Sequence, residues 1–260
     1  MSVRLSSLFP ALFLSLGFVF SQEPAPVVLT VAAASDLTNL EPGLLASFHK
    51  TAPAIRVRFV TSASAVLAQQ IENGAPYDVF LSANAQFVDR LAASRKIEPT
   101  SVVTYAIGRV GVLWRDGKPH KISDLKADWV RFAAMPNPKL APYGVAAQQA
   151  LEHAGVWEFV RKKVVYGENV RQTLQLFDSG NADVVLTSDS LLQGRHAALI
   201  PADWHSPITQ KAGIVADTPH VPAAWEFVRY LTSPAAQAVF ARYGFSPFPA
   251  ATFRSDYRRL

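Results

Sequence analysis

Apolar residues in the first third of the chain recur with two alternating periods. Val27–Ala34 is a near-continuous apolar run, as expected of a parallel strand covered on both faces. Leu37, Leu40, Leu44, Leu45 and Phe48 follow at helical spacing, interrupted by Pro42-Gly43 in the first turns. Ile55–Val60 alternates as a strand, and Val66, Leu67 and Ile71 mark a helix that ends near Asn73-Gly74. Tyr77–Leu81 reads as a third strand, followed by a helix carrying Phe87, Val88 and Leu91. This β-α-β-α-β-α order predicts a parallel sheet with right-handed crossovers.

From Val102 to Trp114 the chain is rich in β-formers and broken by Gly108 and Gly111, which predicts an extended crossing. A second α/β set follows: strand Val130–Ala134, helix Tyr143–Ala154, strand Val164–Tyr166, helix Val170–Ser179 and strand Ala182–Thr187. Ile208–Val215 is extended again, and helices Val221–Leu231 and Pro234–Tyr243 close the pattern, with Thr232-Ser233-Pro234 as stop and restart. A single doubly wound domain would explain the alternation. The two long extended passages favour two lobes joined by paired crossings, with residues 22–105 and 212–260 in one lobe and 106–211 in the other.

In open α/β sheets, ligands sit outside the carboxyl ends of the strands, where loops lead into helix N-termini. Ser35 and Asp36 follow the first strand, and Ser62 and Ser64 the second. Ala141-Pro142-Tyr143-Gly144 and Glu168-Asn169-Val170 introduce two helices of the second set. Free N–H groups and the positive end of a helix dipole favour an anion. If two lobes face each other, these four helix starts converge on one cleft. Taken singly, each has a local explanation: Ser35, Ser64 and Asn169 as N-caps, Pro142 as a first-turn proline, Tyr143 as packing between lobes. Their joint occurrence after successive strands favours an anion socket.

Enzymatic chemistry finds less support. The six histidines show no metal-ligand spacing, and His153 falls on the outer side of its helix. No nucleophile elbow, P-loop or G-x-G-x-x-G is present. A Ser–His–Asp triad built from distant residues, and with it a secreted hydrolase, stays open.

Arg4 followed by the mostly apolar Leu8–Phe20 reads as a signal peptide spanning residues 1–21, cleaved after Ser21. Thirteen residues are too few for a bilayer that needs about 20. The chain has no cysteine, which removes disulfides and a lipid anchor on an N-terminal Cys, and fits export to a bacterial periplasm. Net charge is +5, falling by one with Arg4. The basic runs Arg161-Lys162-Lys163 and Arg254, Arg258, Arg259 lack the interleaved aromatics of a nucleic-acid surface, so no nucleic-acid partner is expected.

At these residues the chain resembles the periplasmic molybdate-binding protein (ModA) family of ABC-transporter substrate-binding proteins. The matching pieces are Leu29–Leu37, Ser64–Ile71, Gly74–Ala83, Pro136-Asn137-Pro138 leading to Ala141–Gly144, Glu168–Arg171 and Arg242–Phe245. The resemblance implies a two-lobed, type II periplasmic-binding-protein fold of mostly parallel sheets. It implies a non-enzymatic role without a cofactor: capture of molybdate or tungstate by a monomer, and delivery to the permease of a high-affinity ABC importer. Sulfate and phosphate remain alternative cargoes. By position, Ser35 and Ser64 would donate hydroxyl and backbone N–H bonds, and Tyr143 and Val170 their backbone N–H groups. Some relatives use a tyrosine where this chain has Leu186, which cannot donate; the Asp36 N–H or the Tyr143 hydroxyl would replace it. The Asp36 side chain is expected to point away from a dianion.

Overall fold

The computed structural model describes residues 26–248. The expected signal segment 1–21 and the basic tail lie outside the described residues. No helix within them is long and apolar enough to cross a membrane.

The first half of the molecule runs β1 (Val27–Ala34), α1 (Glu41–Thr51), β2 (Ile55–Ser62), α2 (Ser64–Glu72), β3 (Val79–Ser82), α3 (Ala85–Ala93) and β4 (Val103–Gly108). The second runs β5 (Val110–Trp114), β6 (Ala133–Pro136), α4 (Pro142–His153), α5 (Trp157–Val160), β7 (Val164–Gly167), α6 (Val170–Asp178), β8 (Val184–Ser188) and β9 (Ala198–Leu199). Then β10 (Ile208–Ile214), α7 (Val221–Leu231) and α8 (Pro234–Arg242) return to the first.

Two five-stranded sheets result, ordered β2-β1-β3-β10-β4 and β7-β6-β8-β5-β9. In each, the βαβ-connected strands are parallel, and a crossing strand (β10 or β5) runs antiparallel to both of its neighbours. This is a two-lobed α/β fold of mostly parallel sheets. The continuous apolar run of β1 is explained by cover on both faces. Leu29, Val31 and Ala33 pack with Leu44, Phe48, Phe227 and Phe240. Ala32, on the other face, packs with Leu67, Ile71, Val88 and Leu91.

The strand crossings shift the expected division of the chain. Ile208, Thr209 and Gln210 pair with Gly108, Ile107 and Ala106, so residues 106–108 and 208–211 belong to the first sheet rather than to the 106–211 segment. The passage from β4 to β5 takes one residue, Arg109. Two elements also differ from their periodicity. The first amphipathic pattern splits into a 3-10 turn, Ser35–Leu37, and then α1, because Pro42 suits only a first turn. The strand expected from Val130 starts at Ala133. Asp183 Oδ2 takes the Arg131 and Phe132 N–H groups at 2.8 and 3.1 Å, which holds those residues out of the ladder.

Candidate functional site

Four element starts meet between the lobes. Ser35 opens the 3-10 turn after β1, Ser64 opens α2 after β2, and Tyr143 and Val170 lie in the first turns of α4 and α6. With Asp36, all line one small cavity, completed by Ala34, Ser62, Ala63, Ala83, Ala141 and Pro142. No Lys, Arg or His is in that lining.

Three of these starts have alanine where a capping side chain would stand. Ala34, Ala63 and Ala141 are the N-cap residues, and none makes a side-chain cap bond. An alanine there forgoes about 1 kcal/mol relative to Ser, Asn or Asp, and leaves orphan N–H groups beside the cavity. Asn169 does cap α6, but its side chain takes the N–H groups of Arg171 and Gln172, each at 3.0 Å. Among the described residues, no acceptor takes the N–H of Tyr143 or Val170.

Ser64 is not an N-cap. Its hydroxyl oxygen accepts the Ala83 N–H at 3.1 Å, which leaves its proton free to donate. Ser35 is likewise the first residue of its turn rather than the cap, and it is buried.

Asp36 behaves differently from its neighbours. Its side chain is buried at the junction of the lobes, where Oδ2 accepts from the Tyr143 hydroxyl at 2.8 Å and from Gln210 Nε2. Gln210 in turn accepts from the Tyr105 hydroxyl at 2.6 Å. Oδ1 has no partner of full hydrogen-bond geometry, although the N–H groups of Asp36 and Leu37 lie beside the carboxylate. Burial pushes the carboxyl up to about 6, against the opposing bonds from Gln210 and Tyr143. Burial first, and the Asp36 charge second, raise the phenols of Tyr143 and Tyr105 well above their ordinary value.

This changes two expectations. The Tyr143 hydroxyl is engaged by Asp36, so it does not stand in for the donor missing at Leu186. The Asp36 N–H lies against its own carboxylate. Leu186 itself is fully buried in β8, opposite Val112.

Gln210, Tyr105, Ser190 and Gly108 complete the junction and were not among the candidates. Ser190 Oγ donates to the Asp36 carbonyl at 2.6 Å, and the Ala65 N–H donates to the Leu140 carbonyl at 3.3 Å, so the lobes bond directly to each other. A Cβ at Gly108 would fall on the Tyr143 hydroxyl and lie 3.1 Å from Gln210 Nε2. Gln210 carried a usable signal: it alternates with Ile208 and Ala212, a polar residue on the apolar face of the strand. His153 is exposed and stacks on Trp204, with ring centroids 5.0 Å apart.

Residues 29–246 match the family model of bacterial extracellular solute-binding proteins. The chain belongs to that family. A molybdate-binding protein ModA of Azotobacter vinelandii is 36% identical over 186 residues, covering 68% of this chain and 73% of that protein. A molybdate-binding protein ModA of Rhodobacter capsulatus is 31% identical over 242 residues, covering 90% of this chain and 94% of that protein. The solved periplasmic molybdate-binding protein of Azotobacter vinelandii superposes with a TM-score of 0.79 at 29% identity, covering 85% of this chain and 99% of that one. A solute-binding protein acts by capture rather than by catalysis, in keeping with a cavity lined by neutral donors and small residues.

Proposed function

We propose that this solute-binding protein captures molybdate, with tungstate as a second cargo, in the periplasm after cleavage of its signal peptide. As a monomer it would hand the ion to the permease of an ABC importer. The observation that carries the reading is the set of four element starts around one cavity, three of them without a capping side chain: Ser35 and Ser64 supply hydroxyl and backbone donors, and Tyr143 and Val170 supply backbone N–H groups. Relatives named for molybdate binding support the choice of cargo. A fully ionised tetrahedral anion needs donors on every side and no acceptor, and charge-assisted bonds from fixed dipoles meet that need without a cation.

Closure of the lobes around the ion would present the permease with a surface that the open form lacks. Selection against sulfate, also a tetrahedral dianion, falls to cavity size. Asp36 in the lining favours one second reading: an oxyanion that keeps a proton, such as hydrogen phosphate, could give it to the buried carboxylate beside the cavity.

Equilibrium dialysis of the mature chain against molybdate, with molybdenum counted by mass spectrometry, tests the proposal. It predicts one molybdenum per chain, displaced by tungstate. No retained molybdenum overturns it.

A further inference from the structure

We infer that capture of a fully ionised oxyanion in this cavity draws one proton from solvent onto Asp36. The inference rests on the proposed oxyanion function and adds a charge rule to it.

Asp36 is 1% exposed. From α4 it meets Tyr143, from β10 it meets Gln210, from β4 Tyr105 lies behind Gln210, and from the turn after β8 Ser190 reaches its carbonyl. Both tyrosines are held neutral by burial, Lys211 of β10 pairs with Asp89, and burial and hydrogen bonds rather than a charged partner set the Asp36 carboxyl, so no cation among the described residues faces the group. The cavity wall adds none. A dianion entering beside an ionised Asp36 would place three negative charges in one buried site, where the neutral donors of the wall are spent on the ion and no cation offsets the carboxylate. Coulomb repulsion at low dielectric is severe, and the least costly relief is protonation of the carboxylate.

The structure leaves a place for that proton. Oδ2 is occupied by two donors, whereas Oδ1 is buried without a full partner. Burial already holds the empty-state carboxyl at about 6, so little further bias is needed near neutrality. The step balances simply: the Asp36 carboxylate, the dianion and one proton give the Asp36 carboxylic acid and the bound dianion. Protonation removes the negative charge beside the ion and leaves Oδ2 as an acceptor for Tyr143 and Gln210. A hydrogen phosphate ion would bring the shared proton itself and draw none from solvent.

Linkage fixes the pH dependence. Above pH about 6 the empty chain must take up a proton to bind, so affinity for molybdate weakens by up to about tenfold per pH unit. Below that value Asp36 is already protonated, and the dependence flattens.

Calorimetric titration of the mature chain with molybdate, at pH 7.5 in buffers of different ionisation enthalpy, reads the proton count directly. The expected result is uptake close to one proton per ion in the wild type and close to none in Asp36→Asn, whose affinity should be flat from pH 6.5 to 8.5. The wild-type dependence of affinity on pH is a second readout that needs no variant. Normal binding heat with no proton uptake overturns the inference and leaves the oxyanion function standing. Equal uptake in Asp36→Asn also overturns it, because another group then takes the proton. No binding of molybdate, tungstate or sulfate overturns the proposed function, and the inference with it.

Discussion

The Tyr143 hydroxyl of one lobe donates to Asp36 Oδ2 of the other at 2.8 Å. The backbone N–H of the same tyrosine lies in the first turn of α4, in the wall of the cavity. One residue would therefore tie lobe contact to the proposed anion capture. Tyr143→Phe removes one of the two donors to a buried carboxylate and should lower stability by about 1.5–3 kcal/mol. Urea unfolding at pH 7.5 checks this; unchanged stability would show that the bond contributes nothing net.

Ser64→Ala tests the hydroxyl donors. The Ala83 N–H holds the Ser64 oxygen as an acceptor, which leaves its proton free to donate to the proposed ion. Loss of one charge-assisted bond of about 1.5–3 kcal/mol should weaken molybdate binding roughly ten- to over a hundredfold. Calorimetric titration measures it, and wild-type affinity in the variant would remove Ser64 from the site.

Gly108 is required by a close approach rather than by its backbone angles. Gly108→Ala drives a methyl group into the Tyr143 hydroxyl, so it should destabilise the chain by about 1–3 kcal/mol. Part of that cost should vanish in the Tyr143→Phe background, where the colliding oxygen is gone. A double-mutant cycle reads the coupling, and strict additivity would place the strain elsewhere.

Asp36 makes stability pH-dependent in a fixed direction. Its folded-state value of about 6 stands above the ordinary 3.8, so the folded chain holds the proton more tightly than the unfolded one. The stabilisation from the protonated form is complete below the unfolded value and is lost as pH rises through about 6. Asp36→Asn, free of this titration, should match the wild type in pH dependence below the unfolded value. It should gain on the wild type by at most about 3 kcal/mol by pH 7. Chemical denaturation of both proteins from pH 4 to 8 measures the difference, and a constant offset across that range would contradict it.

Much of the architecture was legible because burial imprints short periods on the chain. β1 reads as a two-sided strand since both of its faces are covered, and the starts at Ser35, Ser64, Tyr143 and Val170 follow strands closely in sequence. The junction behind the cavity was not legible. Asp36 meets Tyr143 across 107 residues and Gln210 across 174, and such contacts depend on sheet order, which no local pattern carries. For the same reason the Asp36 carboxylate and the Tyr143 hydroxyl each looked free of the other, although they bond. The division of the chain shifted by a few residues at both crossings, because strand pairing rather than hydrophobicity sets where β4 ends and β10 begins.

The central claim is that the cavity is built for molybdate and tungstate. Thermal melting of the mature chain with molybdate, tungstate, sulfate and phosphate in parallel tests it most directly. A ligand at 100 times its dissociation constant adds about 2.7 kcal/mol of stability, or roughly 5–10 °C for a chain of this size. That rise is expected with molybdate and tungstate, and little or none with the other two. No shift with molybdate or tungstate, or a larger one with sulfate or phosphate, would contradict it.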